Sequence, residues 1–522
     1  MSVRLGICKI NSTKQKLLLP LTIHSSEVYS TSRHALGLYR GIANCCRYVV
    51  PKVVFRASPT QQLLEDALAR TILRLSSLRV GIIHDDTDEP HFIHIPKINI
   101  QEMLEWKRLP QIPFEDPTFD LGLLGIIEDR LDQVWTEMTI RPPWKVIVVQ
   151  PIQKSTQDDD SVVFEVIFAT HHSIADGKST ALVHTILLEE LNRASAPPSE
   201  LRDHVLTLKE VPVLAPSQEE LVRFKISWSF LFRRLWNEFG PAWLKGTPPA
   251  KPWTGKPIAL EPHALHLRLV NISPSTLASL LARCRAHKAT LTSLLHVLVL
   301  ASLSRRVPAE AAEAFRSFTA ISLAPFARFP PGEEIDLSQV MTDMNTSTPH
   351  DFGPRVLAQL RPAPSSTPAS DDETENTIWQ LAATVRAEIT KKLGSLPNDD
   401  IAGLMAWVSD WRQRWLRKMG QSRDDTWGLS NIGSTRYNSS SAVDDKDEVG
   451  NWRIERSVFI QPAAVVGPAF SVNVSGVNGG PVTICLDWQE DIVDAELIEG
   501  LADDLKAWCE RFEKTGKFGI FT

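Results

Sequence analysis

The apolar positions of this chain follow two spacings in turn. Val162 to Thr170 is a β-branched and aromatic run, the signature of a buried strand, and Lys178 to Leu191 repeats its apolar residues at helical intervals. A helix is predicted from Gln62, running into a short strand near 78–83. More strands are predicted near 91–100, 132–140 and 145–150, so residues 1–205 read as one mixed α/β unit. Residues 206–260 read as a connection, with one basic, aromatic helix over Leu221–Phe239 that Gly240-Pro241 ends. The pattern then restarts. His263–Val270 alternates like a strand, Ser273 or Ser275 can cap a helix to about 287, and Thr290 can cap a second to about 304. A strand at 319–324, helices at 378–392 and 401–419, strands near 427–432, 456–460, 468–475 and 482–487, and a helix over 494–512 complete a second unit, 261–522. The Pro-, Ser- and acid-rich stretches 361–377 and 437–447 read as surface loops.

Composition narrows the class without naming a chemistry. The 522 residues are 43% hydrophobic and 23% charged, an ordinary globular balance with ample material for a large core. A net charge of -6 argues against general nucleic-acid binding. No run of 18 apolar residues occurs, and the first residues lack a signal peptide's apolar core, so the expected location is cytoplasmic. The six cysteines have no metal-ligand spacing with histidine, and no metal is expected. The 15 tryptophans offer rigid apolar area for a tunnel wall, although core packing accounts for most such residues.

Candidate chemistry concentrates between the strand and the helix first described, where residues 171–177 read His-His-Ser-Ile-Ala-Asp-Gly. Loops at strand ends display reactive groups on a rigid scaffold. Histidine is the side chain whose ordinary pKa suits proton abstraction near neutrality. Asp176 can brace the loop by accepting hydrogen bonds, and Gly177 allows a positive backbone angle or a close approach. A lone histidine is more often a buried, hydrogen-bonded core residue, which is also the expectation for His296. Two rival motifs fail. Asp351-Phe352-Gly353 lacks the loops of a kinase, and Ser475 to Pro481 is a hairpin turn between strands, with no helix to cradle a phosphate.

The heptad resembles the HHxxxDG signature of the CoA-dependent acyltransferase superfamily, which includes chloramphenicol acetyltransferase, condensation domains and alcohol O-acetyltransferases. Glu27 to Tyr39, Pro143 to Val149, Trp253-Thr254-Gly255, Leu280 to Arg285, Thr290 to Leu295 and Trp427 to Gly433 also resemble the family in order, nearest to the alcohol O-acetyltransferase branch. The resemblance implies an α/β (α+β) fold of two chloramphenicol-acetyltransferase-like subdomains, each a mixed sheet flanked by helices, with an active-site tunnel between them. It implies transfer of an acyl group, acetyl by preference, from acyl-CoA as cosubstrate to a hydroxyl of a small molecule, with no bound cofactor. His172 would be the general base and His171 structural. Asp176 would point away from substrate and brace the loop through an arginine, with Arg33 and Arg328 as candidates. The Gly177 N–H and the Ser430-Asn431 strand would be the oxyanion donors.

Other readings stay open at this level. They are amide formation on an amine acceptor, or a non-catalytic relative that binds a small molecule or a partner protein. A monomer is expected. Residues 221–243 have the composition of a peripheral membrane contact, although an internal helix is more often docked on its own domain.

Overall fold

The computed structural model describes residues 21, 23–57, 60–113, 118–152, 161–193, 196–240, 250–332, 334–361, 371–437, 451–462 and 464–520. Two large sheets organise the chain. Their strands are β1 (Ile42–Pro51), β2 (Leu104–Pro113), β3 (Trp144–Ile152), β4 (Ser161–Thr170), β5 (Leu265–Ile272), β6 (Phe315–Ser322), β7 (Asn345–Phe352), β8 (Trp427–Thr435), β9 (Arg453–Ile460), β10 (Phe470–Val477) and β11 (Val482–Gln489). The first sheet has five strands in the order β9-β1-β4-β3-β2, and the second has six in the order β5-β11-β10-β8-β6-β7. Both are mixed. β2 runs parallel to β3 in the first, and β8 runs parallel to β6 and β10 in the second. The expected α/β architecture of two helix-flanked mixed sheets is therefore present.

The helices used below are α1 (Ser25–Ala35), α2 (Thr60–Arg74), α3 (Phe119–Leu131), α4 (Gly177–Asn192), α5 (Trp228–Phe239), α6 (Pro274–Ala286), α7 (Leu291–Arg306), α8 (Asp371–Ser395), α9 (Trp411–Lys418) and α10 (Ala495–Thr515). Their starts follow capping chemistry. Ser227, Ser273 and Thr290 each accept a backbone N–H of the first turn that would otherwise lack a partner. α7 is apolar nearly all round and every residue from Ser293 to Ser304 is buried, because α8 and α10 cover the faces that the sheet does not.

Two features weld the halves together. β9, late in the chain, pairs with β1 in the first sheet rather than with its sequence neighbours β8 and β10. Its Arg456 spans Glu165 on β4 at 2.9 Å and Asp120 on α3 at 2.7 Å, and Arg47 reaches the same Glu165 at 2.6 Å. Glu165 is fully buried, so losing one of these cations would strand its charge, a defect that costs about 3–5 kcal/mol. The second weld is α3, whose Phe119, Leu123 and Ile127 pack with Ile147 and Ile167 of the first sheet and with Leu265 and Leu267 of β5. β5 is an edge strand, and α3 blunts that edge. Glu128 accepts the Leu267 N–H at 2.7 Å, and Asp132 accepts the Leu265 N–H at 3.1 Å.

Four sequence expectations need correction. No strand forms over 132–140: Glu137 sits at φ 55, a left-handed angle that breaks an extended run, and Trp135 instead tucks under Arg130 at 3.8 Å. The helix expected over Leu221–Phe239 begins only at Trp228, since Lys225 is drawn into a bridge with Asn398. Residues 371–377 belong to α8, whereas 362–370 and 438–447 of the two expected loops lie outside the described residues. Residues 401–419 form two pieces, a 3-10 turn over Ile401–Trp407 and α9, separated by the new cap at Asp410.

Candidate active site

β4 ends at Thr170 and α4 starts at Gly177, so the six intervening residues make a tight, wholly buried corner. Asp176 is the N-cap of α4. Its carboxylate accepts the Ser179 N–H at 2.8 Å and the Met344 N–H at 3.4 Å. No arginine takes part, contrary to the expectation. Arg33 lies over the rings of Tyr29 and Tyr39, at 4.0 and 4.6 Å, and Arg328 is an exposed residue whose side chain donates to the Ala327 carbonyl. The physical reason is local. Two backbone N–H groups already point at the carboxylate, and they stabilise its charge without a buried guanidinium.

Gly177 is needed for close approach rather than for an unusual backbone angle. A Cβ there would lie 2.7 Å from the side chains of Ile432 and Phe459. The start of α4 is thus pressed against β8 and β9, which brings the strand carrying Ser430 and Asn431 beside the corner. Asn431 is occupied, however. Its Nδ2 donates to Thr292 Oγ1 at 3.0 Å and its Oδ1 accepts the Gly433 N–H at 2.9 Å. Among the described residues neither Ser430 nor Asn431 hydrogen-bonds to the corner.

The two histidines have opposite surroundings. His171 Nδ1 accepts from the Ser173 backbone N–H at 3.0 Å and pairs with the Ser173 hydroxyl at 2.8 Å, and its ring packs edge-on to His34 at 4.6 Å. Burial, and then the neighbouring cations, keep both rings neutral. His171 is held well below its ordinary pKa and His34 at about 4. His172 faces a carboxylate instead. Its Nδ1 lies 3.4 Å from Asp343 Oδ2, without the alignment of a good hydrogen bond, so the attraction is mainly electrostatic. Burial disfavours the charged ring, but Asp343 outweighs it and raises the His172 pKa above its ordinary value. No hydrogen bond commits Nε2 among the described residues, and a tenth of the side chain reaches solvent.

Asp343 was not anticipated, and the second half of the chain supplies it. The segment Met341–Met344 is stitched to the corner strand-fashion: the Asp176 N–H donates to the Thr342 carbonyl at 2.8 Å, and Ser179 Oγ both donates to that carbonyl and accepts the Thr342 N–H. Asn345 then steadies Asp343 through a 2.6 Å hydrogen bond to Oδ1. The only signal in the sequence was one carboxylate between two methionines, and nothing local says that it meets His172. Tyr39, whose ring centre is 5.6 Å from that of His172 and whose buried hydroxyl has no protein partner, was also missed as a site residue.

Two recesses are bordered by neighbours of His172, though neither reaches its ring. One is bordered by Tyr39, Arg40, Asp132, His263 and Gln489. The other is bordered by Asp343, Ser173, Glu27, Ser77, Phe92 and Met341. Burial pushes the Glu27 carboxyl up to about 8, so at neutral pH it offers the second recess a donor as well as an acceptor. A base free at one nitrogen and steadied at the other can take a proton from a molecule bound beside it.

Comparison with known proteins gives the family and the fold. The family model described as alcohol acetyltransferase matches residues 127–499. The probable alcohol acetyltransferase FCK4 of Fusarium pseudograminearum is 30% identical over 504 residues, covering 95% of this chain and 96% of that protein. The probable alcohol acetyltransferase crmB of Aspergillus fumigatus is 24% identical, covering 93% and 98%. Among solved structures, TRI3 trichothecene 15-O-acetyltransferase from Fusarium sporotrichioides superposes with a TM-score of 0.64 at 10% identity, over 93% of this chain and 94% of that one. The condensation domain of the monacolin K polyketide synthase MokA does so at 0.52 and 11% identity, over 96% and 99%. These two likenesses are of fold.

Proposed function

We propose a reaction for a chain that belongs to the alcohol acetyltransferase family and is an acyltransferase: transfer of an acetyl group from acetyl-CoA to a hydroxyl of a small molecule. The observation that carries it is His172, whose Nδ1 faces Asp343 while its Nε2 has no hydrogen bond among the described residues. In this reading His172 Nε2 takes the hydroxyl proton as the oxygen attacks the thioester carbonyl carbon. The new C–O bond forms, the C–S bond breaks, and the proton returns to the departing sulfur. The ring is an imidazolium between those events, and Asp343 stabilises that charge from the far side, as a carboxylate does for a histidine base. The protein takes no covalent share in the transfer, so both substrates must be bound together.

Asp176 serves the same end indirectly, by capping α4 and fastening the segment that carries Asp343. We place the acceptor among hydroxyl-bearing secondary metabolites, by likeness to the relatives' own descriptions. Mass spectrometry of acetyl-CoA reactions with a panel of alcohols and amines, run with the wild type and His172→Ala, tests the reading. A product heavier by one acetyl, made from an alcohol by the wild type alone, supports it. Equal yields from both proteins would remove His172 as the base, and products from amines only would replace the ester with an amide.

A further inference from the structure

We infer that α5 and the turn beside it form a docking face for an anionic lipid surface. α5 is a helix of 12 residues whose only buried side chain between Trp228 and Trp236 is Phe230. A short helix is marginal in water unless an apolar face is packed, and here the larger apolar face points outward. Trp228 is 85% exposed, Phe232 66% and Leu235 48%, at positions i, i+4 and i+7 of one stripe. The neighbouring 3-10 turn adds Ile401 at 49% and Trp407 at 62%. This turn is fastened to the same segment. Asp399 accepts from Ser227 N at 2.7 Å and from Ser227 Oγ at 2.9 Å, and a Cβ on Gly403 would touch Phe224 and Ile226. Exposed apolar area on this scale, with two tryptophans, marks an interaction surface rather than ordinary scatter.

Charge selects the occupant. Residues 221–239 carry Arg223, Lys225, Arg233 and Arg234 against one acidic residue, Glu238, within a chain whose net charge is -6. All four are exposed, and none pairs with a carboxylate among the described residues. Arg234 instead lies 5.2 Å over the Phe230 ring. Of the acids on the neighbouring turn, Asp399 is spent on Ser227 and the buried Asp400 on Thr346 and Lys392. Aromatic side chains that enter the headgroup layer, ringed by guanidinium and ammonium groups that meet lipid phosphates and carboxylates, are the pattern of a helix lying in a membrane interface. In a two-fold dimer through this face the apolar stripes would match, but the four cations of one copy would face the same four of the other.

The test is flotation of the full-length protein with phosphatidylcholine vesicles, with and without phosphatidylserine. We expect binding to the serine-containing vesicles, at least about tenfold weaker binding to the neutral ones, and loss in high salt, where surface charges are screened. Trp228→Glu with Phe232→Glu, and separately Arg233→Glu with Arg234→Glu, should each lose about tenfold in bound fraction with unchanged thermal melting. Absence of flotation, equal flotation on both vesicles, or indifference to either double variant would overturn the inference. So would a dimer by light scattering that the Trp228→Glu, Phe232→Glu variant dissolves while vesicle binding stays absent.

Discussion

Two buried histidine clusters, one in each half of the chain, separate what burial does from what chemistry needs. In the second half, Trp427 Nε1 and Ser317 bond to His296 Nδ1 at 3.1 and 3.0 Å, and His296 Nε2 meets Thr319 Oγ1 at 2.9 Å. Thr319 passes the chain of bonds on to His350, which ends on Glu388 at 2.6 Å. The indole can only donate, which makes His296 Nδ1 an acceptor and fixes every proton down to Glu388. Both ring nitrogens of both histidines are thus occupied, and burial holds the His296 pKa well below its ordinary value. At His172 one nitrogen faces a carboxylate, the other is uncommitted, and the pKa moves up instead. Both rings are buried, His296 fully and His172 to about nine-tenths. What distinguishes the reactive one is an unfinished set of partners and an edge open to solvent.

The largest effect expected from breaking this contrast is His172→Ala, which should lower kcat by about 10² to 10⁴ with little change in melting temperature. The complementary change, His296→Ala, should do the reverse. It leaves Trp427 Nε1 without a partner in the core and takes one of two hydrogen bonds from Thr319, and should cost about 2–4 kcal/mol of stability, while initial rates at low temperature stay near wild type. Parallel measurement of product formation and chemical denaturation checks both. A large rate loss in the His296 variant would mean that the two clusters are coupled, and the contrast would fail.

Asp343→Asn sharpens the comparison at the reactive site alone. The carboxylate raises the His172 pKa, so its removal should lower it. The base form then persists to more acidic pH, and the ascending limb of kcat/KM against pH should move down. The plateau should also fall, by about tenfold, since the imidazolium formed during transfer loses its stabilising charge. A plateau loss with no movement of the limb would reduce Asp343 to a packing role.

How much of this was legible follows from how local each feature is. The heptad, the strand before it and the helix after it are contiguous, so their spacing showed both the corner and its chemistry. Asp343 is brought to His172 by backbone hydrogen bonds between segments remote in sequence, such as Asp176 N to the Thr342 carbonyl, and periodicity carries no record of these. β9 was visible as a strand, but its partner was not, because the choice of β1 rests on Arg456 meeting Glu165 across the fold. The aromatic segment at 228–239 had a legible helix and an illegible outer face. The pattern there expected a docked helix, and only the position of Phe230 shows which side turns inward.

Asp176 offers a smaller test, of position against charge. If its part is to cap α4, Asp176→Asn keeps an oxygen acceptor of equal capping strength for Ser179 and should retain most stability and activity, losing only the long 3.4 Å bond from Met344, which its amide NH2 cannot accept. Asp176→Ala removes the acceptor. It should cost about 1 kcal/mol and slow transfer by loosening the corner that aims Asp343. Equal damage from both variants would mean that the negative charge itself matters.

The smallest net effect in the wild type lies in acid stability, where buried groups of opposite kind work against each other. His34 and His184 are held at about 4 by burial. The unfolded chain therefore takes up their protons below about 6.5 while the fold refuses them, and stability falls as the pH drops from there toward 4. Each can contribute at most about 3 kcal/mol over that window. Glu27, raised to about 8, has the opposite sign: its fold keeps a proton that the unfolded chain releases above about 4.5, so stability falls as the pH rises toward 8. Over the shared range the slopes partly cancel, and the wild type should show a shallow profile. Substitution separates them. His184→Gln should flatten the loss on the acid side, whereas Glu27→Gln should remove the loss toward pH 8, each read as a change of slope in chemical denaturation across pH rather than as a change at one pH. Had His184 been charged in the fold like the ring of His172 during transfer, its variant would steepen the acid side instead, because a favourable protonation would have been lost.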